Sequence, residues 1–198
     1  MSVRRLRAGD AVVAFADAAG SSGDASGLSE TDQRRAAALV GIRRARFLVG
    51  RSLIRSLIGE LAPGSDAAVI ARCPRCGGDH GPVRAVGAPV SISVSYAGSV
   101  VAVAATRGPR AVGIDIERGE PRALVEGLER VFRTPPTRRR WTEFEAVVKA
   151  DGRGLAVPPD AVRFEPRGES ALAHLADARY RVDALDAPTG YTASIAVD

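Results

Sequence analysis

From Arg43 to Leu61 the apolar residues Phe47, Leu48, Ile54, Leu57, Ile58 and Leu61 recur at helical spacing, and Pro63-Gly64 then stops the helix. The period changes beyond that point. "SISVSY" (91–96) alternates with period two, "SVVAVAAT" (99–106) is an apolar run of strand length, and Ala97-Gly98 turns between them. A long amphipathic helix followed by an apolar hairpin restricts the chain to a helix packed on a sheet. Before them, "AVVAFA" (11–16) reads as a strand, 20–28 as a loop, and Ser29 with Asp32 as a capped helix start. "AAVIAR" (67–72) reads as a short strand.

A strand over 111–117 comes next, then helices over 122–132 and 138–150 separated by Thr134-Pro135-Pro136, and a loop at 151–155. Strands near 161–165, 171–176, 179–184 and 191–197 complete the chain. "SVVAVAA" and the closing "YTASIAV" are alike, one in each half. The expected fold is therefore α+β, in two related lobes over 1–108 and 109–198.

Composition narrows the setting. With 45% hydrophobic residues the chain can bury a sizeable core, and no apolar run reaches the roughly 20 residues of a membrane helix. The start, "MSVRRLRAGD", lacks the apolar stretch of a secretory signal, and two cysteines are too few for a disulfide framework. A cytoplasmic monomer without a membrane partner is the expectation. The net charge of +5 suits nucleic acid, phosphorylated small molecules or acidic proteins. Aromatic residues are 5% of the chain and do not alternate with basic ones, which argues against nucleic acid.

The chemistry concentrates in the second half. In "AVGIDIE" (111–117) Asp115 and Glu117 stand two apart on a strand, so both side chains point to one face. Glu145 and Lys149 lie one helical turn apart, with Trp141 a turn earlier. Hard divalent cations take carboxylate oxygens and commonly keep phosphate as a further ligand. Two strand carboxylates and a helix carboxylate beside a lysine and the arginines of 43–55 suit a metal–diphosphate site. The same residues also fit a solvated strand end, a surface ion pair and the wet face of a helix. Cys73-x-x-Cys76 with His80 offers three zinc-type ligands, one short of a closed structural site, against a pair of thiols on a turn.

"VGIDIE" followed by "WTEFEAVVKADGRGL" resembles the paired signature of the Sfp-type 4′-phosphopantetheinyl transferases. "RRARFLVGRSLIRSLI" (43–58), "CPRCGGDHGPV" and "SISVSYAGSVVAVA" are similar to three further segments of that family. Together they run in the family's order over about residues 28–197.

The resemblance implies two similar lobes in a pseudo-twofold arrangement, each a small, mostly antiparallel sheet packed on a long helix. It implies a transferase that moves the phosphopantetheine arm of coenzyme A to a serine of an acyl or peptidyl carrier protein in polyketide or nonribosomal peptide biosynthesis. By position, Asp115, Glu117 and Glu145 would ligate Mg²⁺ or Mn²⁺, and Glu145, Lys149 and Asp115 would be catalytic. Arg34, Arg46, Ser95, Tyr96 and Lys149 would hold coenzyme A, the co-substrate. A diverged enzyme on another substrate and a non-catalytic carrier-protein-binding relative are the alternatives. Several positions depart from the family pattern. Tyr96 stands in place of histidine, Gly81-Pro82 lacks the intervening lysine, Phe144 precedes Glu145 where lysine is usual, and Phe47 replaces a small polar residue. On these departures dephospho-coenzyme A is expected to bind within about tenfold of coenzyme A.

Overall fold

A computed structural model of the chain describes residues 2–21, 25–73, 76–79, 81–125, 127–128, 132 and 134–198. They divide into two units, Met1–Pro109 and Arg110–Asp198. Helices stand beside wholly antiparallel sheets, an α+β fold.

The first unit opens on a hairpin of β1 (Val3–Ala8) and β2 (Ala11–Asp17), then has α1 (Glu30–Ala37) and α2 (Gly41–Leu61). After the short strands β3 (Val69–Ile70) and β4 (Arg84–Ala85) comes the hairpin of β5 (Val90–Ala97) and β6 (Val100–Arg107). The sheet order is β1-β2-β6-β5, and β3 pairs with β4 in a two-stranded sheet. The segment at 3–8 is a strand that the arginine-rich N-terminus does not announce. As an edge strand with exposed Arg4, Arg5 and Arg7 it carries the charge that deters edge-to-edge pairing. α2 buries Val49, Leu53, Ile54, Leu57, Ile58 and Leu61 against Val12, Ala14, Ala16, Val101, Val103 and Ala105. Small strand residues facing large helix residues let the layers interdigitate.

Two charged residues, Asp32 of α1 and Arg51 of α2, are buried. Asp32 is not the partner in a capping box: Ser29 caps α1 by accepting from the Asp32 backbone N–H, and the Asp32 carboxylate faces α2. There it takes two hydrogen bonds from Arg51, from Nε at 2.7 Å and Nη2 at 2.9 Å. Arg51 is only 3% exposed, so it belongs to the interior rather than to the wet side of the helix.

The second unit has β7 (Val112–Arg118), α3 (Arg138–Asp151), β8 (Val162–Arg167), β9 (Ser170–Leu175), β10 (Ala178–Leu185) and β11 (Tyr191–Val197), in sheet order β7-β11-β10-β9-β8. One face packs on α3 through Ala173, Leu175, Tyr180, Val182 and Ala196 against Trp141, Phe144, Ala146, Val147 and Val148. Thr137 caps α3 by accepting from the Arg140 N–H, and Gly152 ends it in the left-handed region (φ 87°). The helix expected over 122–132 is absent from the described part of that stretch, which has turns and a bridge between Leu124 and Thr137; residues 126 and 129–131 lie outside the described residues. At the start of the stretch Val125 N–H donates to the Pro136 carbonyl at 3.0 Å, and further on Phe132 N–H donates to the Leu128 carbonyl at 2.7 Å, the spacing of one helical turn.

Breaking the buried pair from one side should be costly. Asp32→Ala is expected to lower unfolding free energy by about 3–5 kcal/mol, because it leaves a buried guanidinium uncompensated, and Asp32→Leu with Arg51→Met should recover most of the loss. Urea denaturation checks both; a single-variant loss below about 1 kcal/mol would contradict the burial of the pair.

Candidate functional site

Gly113 sets the distance between β7 and α3. A Cβ built at Gly113 would collide with the Ala146 carbonyl oxygen and stand 2.5 Å from the Ala150 nitrogen. The helix backbone therefore rests directly on the strand. Two residues along β7, Asp115 then meets side chains of the same helix. Lys149 donates to Asp115 Oδ1 at 2.5 Å and lies 3.2 Å from Glu145 Oε2. One ammonium thus joins a strand carboxylate that is 2% exposed to a helix carboxylate one turn away.

Glu117, on the same face of β7, is held differently. Its Oε1 accepts from Trp141 Nε1 at 3.3 Å. Beneath this polar layer the Thr142 hydroxyl donates to the Arg139 carbonyl at 2.9 Å, so the 2.8 Å contact between Thr142 and Ser194 is donated by Ser194. Ser194 pairs with Asp115 across β11 and β7, and this hydroxyl chain ties α3 to the sheet beside the carboxylates. Phe144, at the position where lysine was the family expectation, is 1% exposed and packs edge-on against Phe132 with ring centres 5.5 Å apart.

Burial alone would draw the Lys149 ammonium down. The Asp115 and Glu145 carboxylates outweigh it, and the lysine titrates above its ordinary 10.5. The lysine is charged wherever the protein works. Among the described residues no three Asp, Glu, His or Cys side chains converge closely enough to hold a metal as they stand. The donor set nonetheless fits a hard divalent cation: carboxylate oxygens, two of them already drawn onto a positive charge.

The first unit carries a second polar cluster. Arg46 donates to the Gly98 carbonyl at 2.9 Å and stands 6.0 Å over the Tyr96 ring. The ring is 37% exposed, while the hydroxyl is turned onto Gly50, where an added Cβ would lie 2.8 Å from it. Burial of that hydroxyl raises the Tyr96 pKa against the pull of Arg51, Arg35 and Arg46, so the phenol remains a donor at neutral pH. Arg35 and Arg51 flank the Phe47 ring at 5.3 and 4.8 Å, and Arg35 donates to the Asp79 carbonyl. Arg34, the α1 arginine expected near the nucleotide, is exposed and pairs with Glu30 at 2.8 Å. Arg35 is an arginine of this cluster that the sequence analysis does not single out. It lies three positions from buried Asp32 and next to buried Ala36, a helical spacing that marks the inward side. Ser95 is buried on β5 beside Tyr96. Cys73 is half-buried and Cys76 exposed, His80 lies outside the described residues, and His174 stands 3.4 Å from Glu165 on the second unit's sheet. Among the described residues no helix is long and apolar enough to cross a membrane.

No protein-family model matches the chain, and no curated protein sequence matches it.

Two substitutions test this geometry. Gly113→Ala should destabilise by about 3 kcal/mol or more, since helix backbone rather than a flexible side chain must retreat; a loss under about 1 kcal/mol in urea would mean that α3 does not rest on the strand there. The stabilisation from Lys149, whose pKa is raised on folding, is fully present below pH 10.5 and fades only as pH climbs through the folded value. Lys149→Met should thus lower the melting temperature by the same amount at each pH between about 6 and 10. A gap that closes within that range would show the ammonium already titrating there.

Proposed function

We propose that the protein is an Mg²⁺-dependent 4′-phosphopantetheinyl transferase acting on coenzyme A and an acyl or peptidyl carrier protein. The observation that carries the reading is Lys149 joining Asp115 to Glu145, within the contact of α3 and β7 formed by the two most distinctive family-like segments. The family's two similar lobes in pseudo-twofold arrangement belong to the same proposal, as does a cytoplasmic, monomeric enzyme.

In this reading Asp115, Glu117 and Glu145 hold Mg²⁺ or Mn²⁺, which neutralises charge on the diphosphate when bound. Glu145 receives the proton of the carrier serine as its oxygen bonds to the β-phosphorus. The bond from that phosphorus to the bridging oxygen breaks, and 3′,5′-ADP leaves with the electron pair. Lys149 turns its ammonium to a diphosphate oxygen as a compact charge. Trp141 steadies Glu117, and the Ser194–Thr142–Arg139 chain steadies the helix that carries Glu145.

The basic cluster of the first unit supports a revised view of the nucleotide end. Tyr96 brings no charge, but Arg35 and Arg46 stand about it, each fastened to a backbone carbonyl. Charge-assisted contacts to phosphate are worth about 1.5–3 kcal/mol each, so two of them restore a preference that Tyr96 alone would lose. Coenzyme A is now expected to bind roughly a hundredfold tighter than dephospho-coenzyme A, and Arg35→Gln to remove most of that gap. Calorimetric titration of both ligands with Mg²⁺ decides it; binding within tenfold would return the expectation drawn from Tyr96 alone.

Activity is tested by incubating the protein with Mg²⁺, coenzyme A and apo-carrier proteins and weighing the carriers by mass spectrometry. A gain equal to the phosphopantetheine arm is expected, lost by about a hundredfold or more in Asp115→Ala and Glu145→Gln. Carriers unchanged beside an active control transferase would sink the proposal in favour of a diverged relative.

A further inference from the structure

The proposed chemistry leaves one cavity of the first unit unused. A cleft of about 280 Å³, open to solvent on the side of Asp66, is lined by the approach to α1, by one face of α2 and by the chain that follows the helix. At the ~30 Å³ that one water takes in liquid, this holds a molecule of about nine heavy atoms.

Its lining has a distinct charge map. Arg51 and Asp32 form one wall, and their two hydrogen bonds use Arg51 Nε and Nη2, leaving the two N–H donors of Nη1 outside the pair. That wall is neutral overall. Arg55, one helical turn further along α2, brings a second guanidinium. The loop comes close to it at Gly27 (φ 66°), where a Cβ would stand 3.6 Å from Arg55 Nη1. With five N–H donors, Arg55 can take a ligand carboxylate beside another acceptor. Asp66 is the opposite pole. Its Oδ1 accepts from the Ala68 N–H at 3.0 Å, and Gly87 closes on its Cβ, so the carboxylate is fixed in place. Leu28, Ala67 and Val69 supply the apolar remainder.

A simple anion would meet Arg55 but be opposed by Asp66, and a simple cation the reverse. A molecule carrying both charges on a short apolar body answers both. We propose that this cavity binds a small apolar α-amino acid, its carboxylate on Arg55 and Arg51 Nη1 and its ammonium on Asp66. The proposal is independent of the transferase reading.

Calorimetry on the full chain with three probes tests it: L-leucine, 4-methylpentanoate without the ammonium, and 3-methylbutylamine without the carboxylate. Leucine is expected to bind with Kd of about 1 mM or tighter, and each one-charge probe at least tenfold more weakly. Arg55→Gln and Asp66→Asn should each cost leucine tenfold or more, and Ala67→Phe should abolish binding by filling the space while melting remains cooperative. No leucine heat at concentrations up to about 20 mM, or 4-methylpentanoate binding as tightly as leucine, overturns the proposal. The probe series uses the unaltered protein, so the outcome does not depend on any variant folding.

Discussion

The bridge from Asp115 through Lys149 to Glu145 depends on the absence of one side chain. Because Gly113 lets the α3 backbone touch β7, a helix residue can reach a strand carboxylate that is itself almost wholly buried. Any larger residue would lift the helix and leave Asp115 facing a gap. The contact also explains how a short strand segment can combine an apolar run with two acids. Ile114 and Ile116 are buried on one face of β7, while Asp115 and Glu117 use the other, next to the helix. Close packing and the charged site are one construction.

Much of this was legible in the residues. The period-two stretch became β5 and the apolar run after it β6, the four closing strands fell within a few residues of their expected places, and the long helix ran to Leu61 as its apolar spacing required. These signals are strong because each element has one face in a core, and burial imposes a period. The same-face rule for Asp115 and Glu117 and the one-turn rule for Glu145 and Lys149 needed only local geometry. The joining of the two pairs into one site was an expectation of their chemistry and of the family resemblance, not of local geometry. It depends on how far apart helix and strand pack, which Gly113 determines and no periodicity encodes.

The misreadings share a physical cause. β1 was missed because an edge strand buries so little that half of its residues can be arginine. Neither a phosphate site nor a wet helix face, the two readings open to the arginines of 43–55, foresees a buried Arg51; its burial requires an acid from elsewhere in the chain, and Asp32 is 19 residues away. The helix expected over 122–132 gives way at its start to turns and to a bridge from Leu124 to Thr137, a partner that local spacing does not reveal. In each case a nonlocal partner or its absence overruled a local preference.

The choice of lysine at position 149 follows from the same geometry. Arginine supplies all 27 other basic residues of this chain, and where it is buried it binds by its planar fork, as Arg51 does to both oxygens of Asp32. Between Asp115 and Glu145 the acceptors are on different elements and present one oxygen each. A fork suited to two oxygens of one carboxylate does not match two carboxylates meeting at an angle. A compact ammonium with three donors does, and its charge can shift from one acceptor to another by small rotations of a flexible stem. Lysine there can hold the two acids in place and still turn toward an incoming anion, which a bidentate arginine clamped on one carboxylate would do only by breaking both its bonds at once.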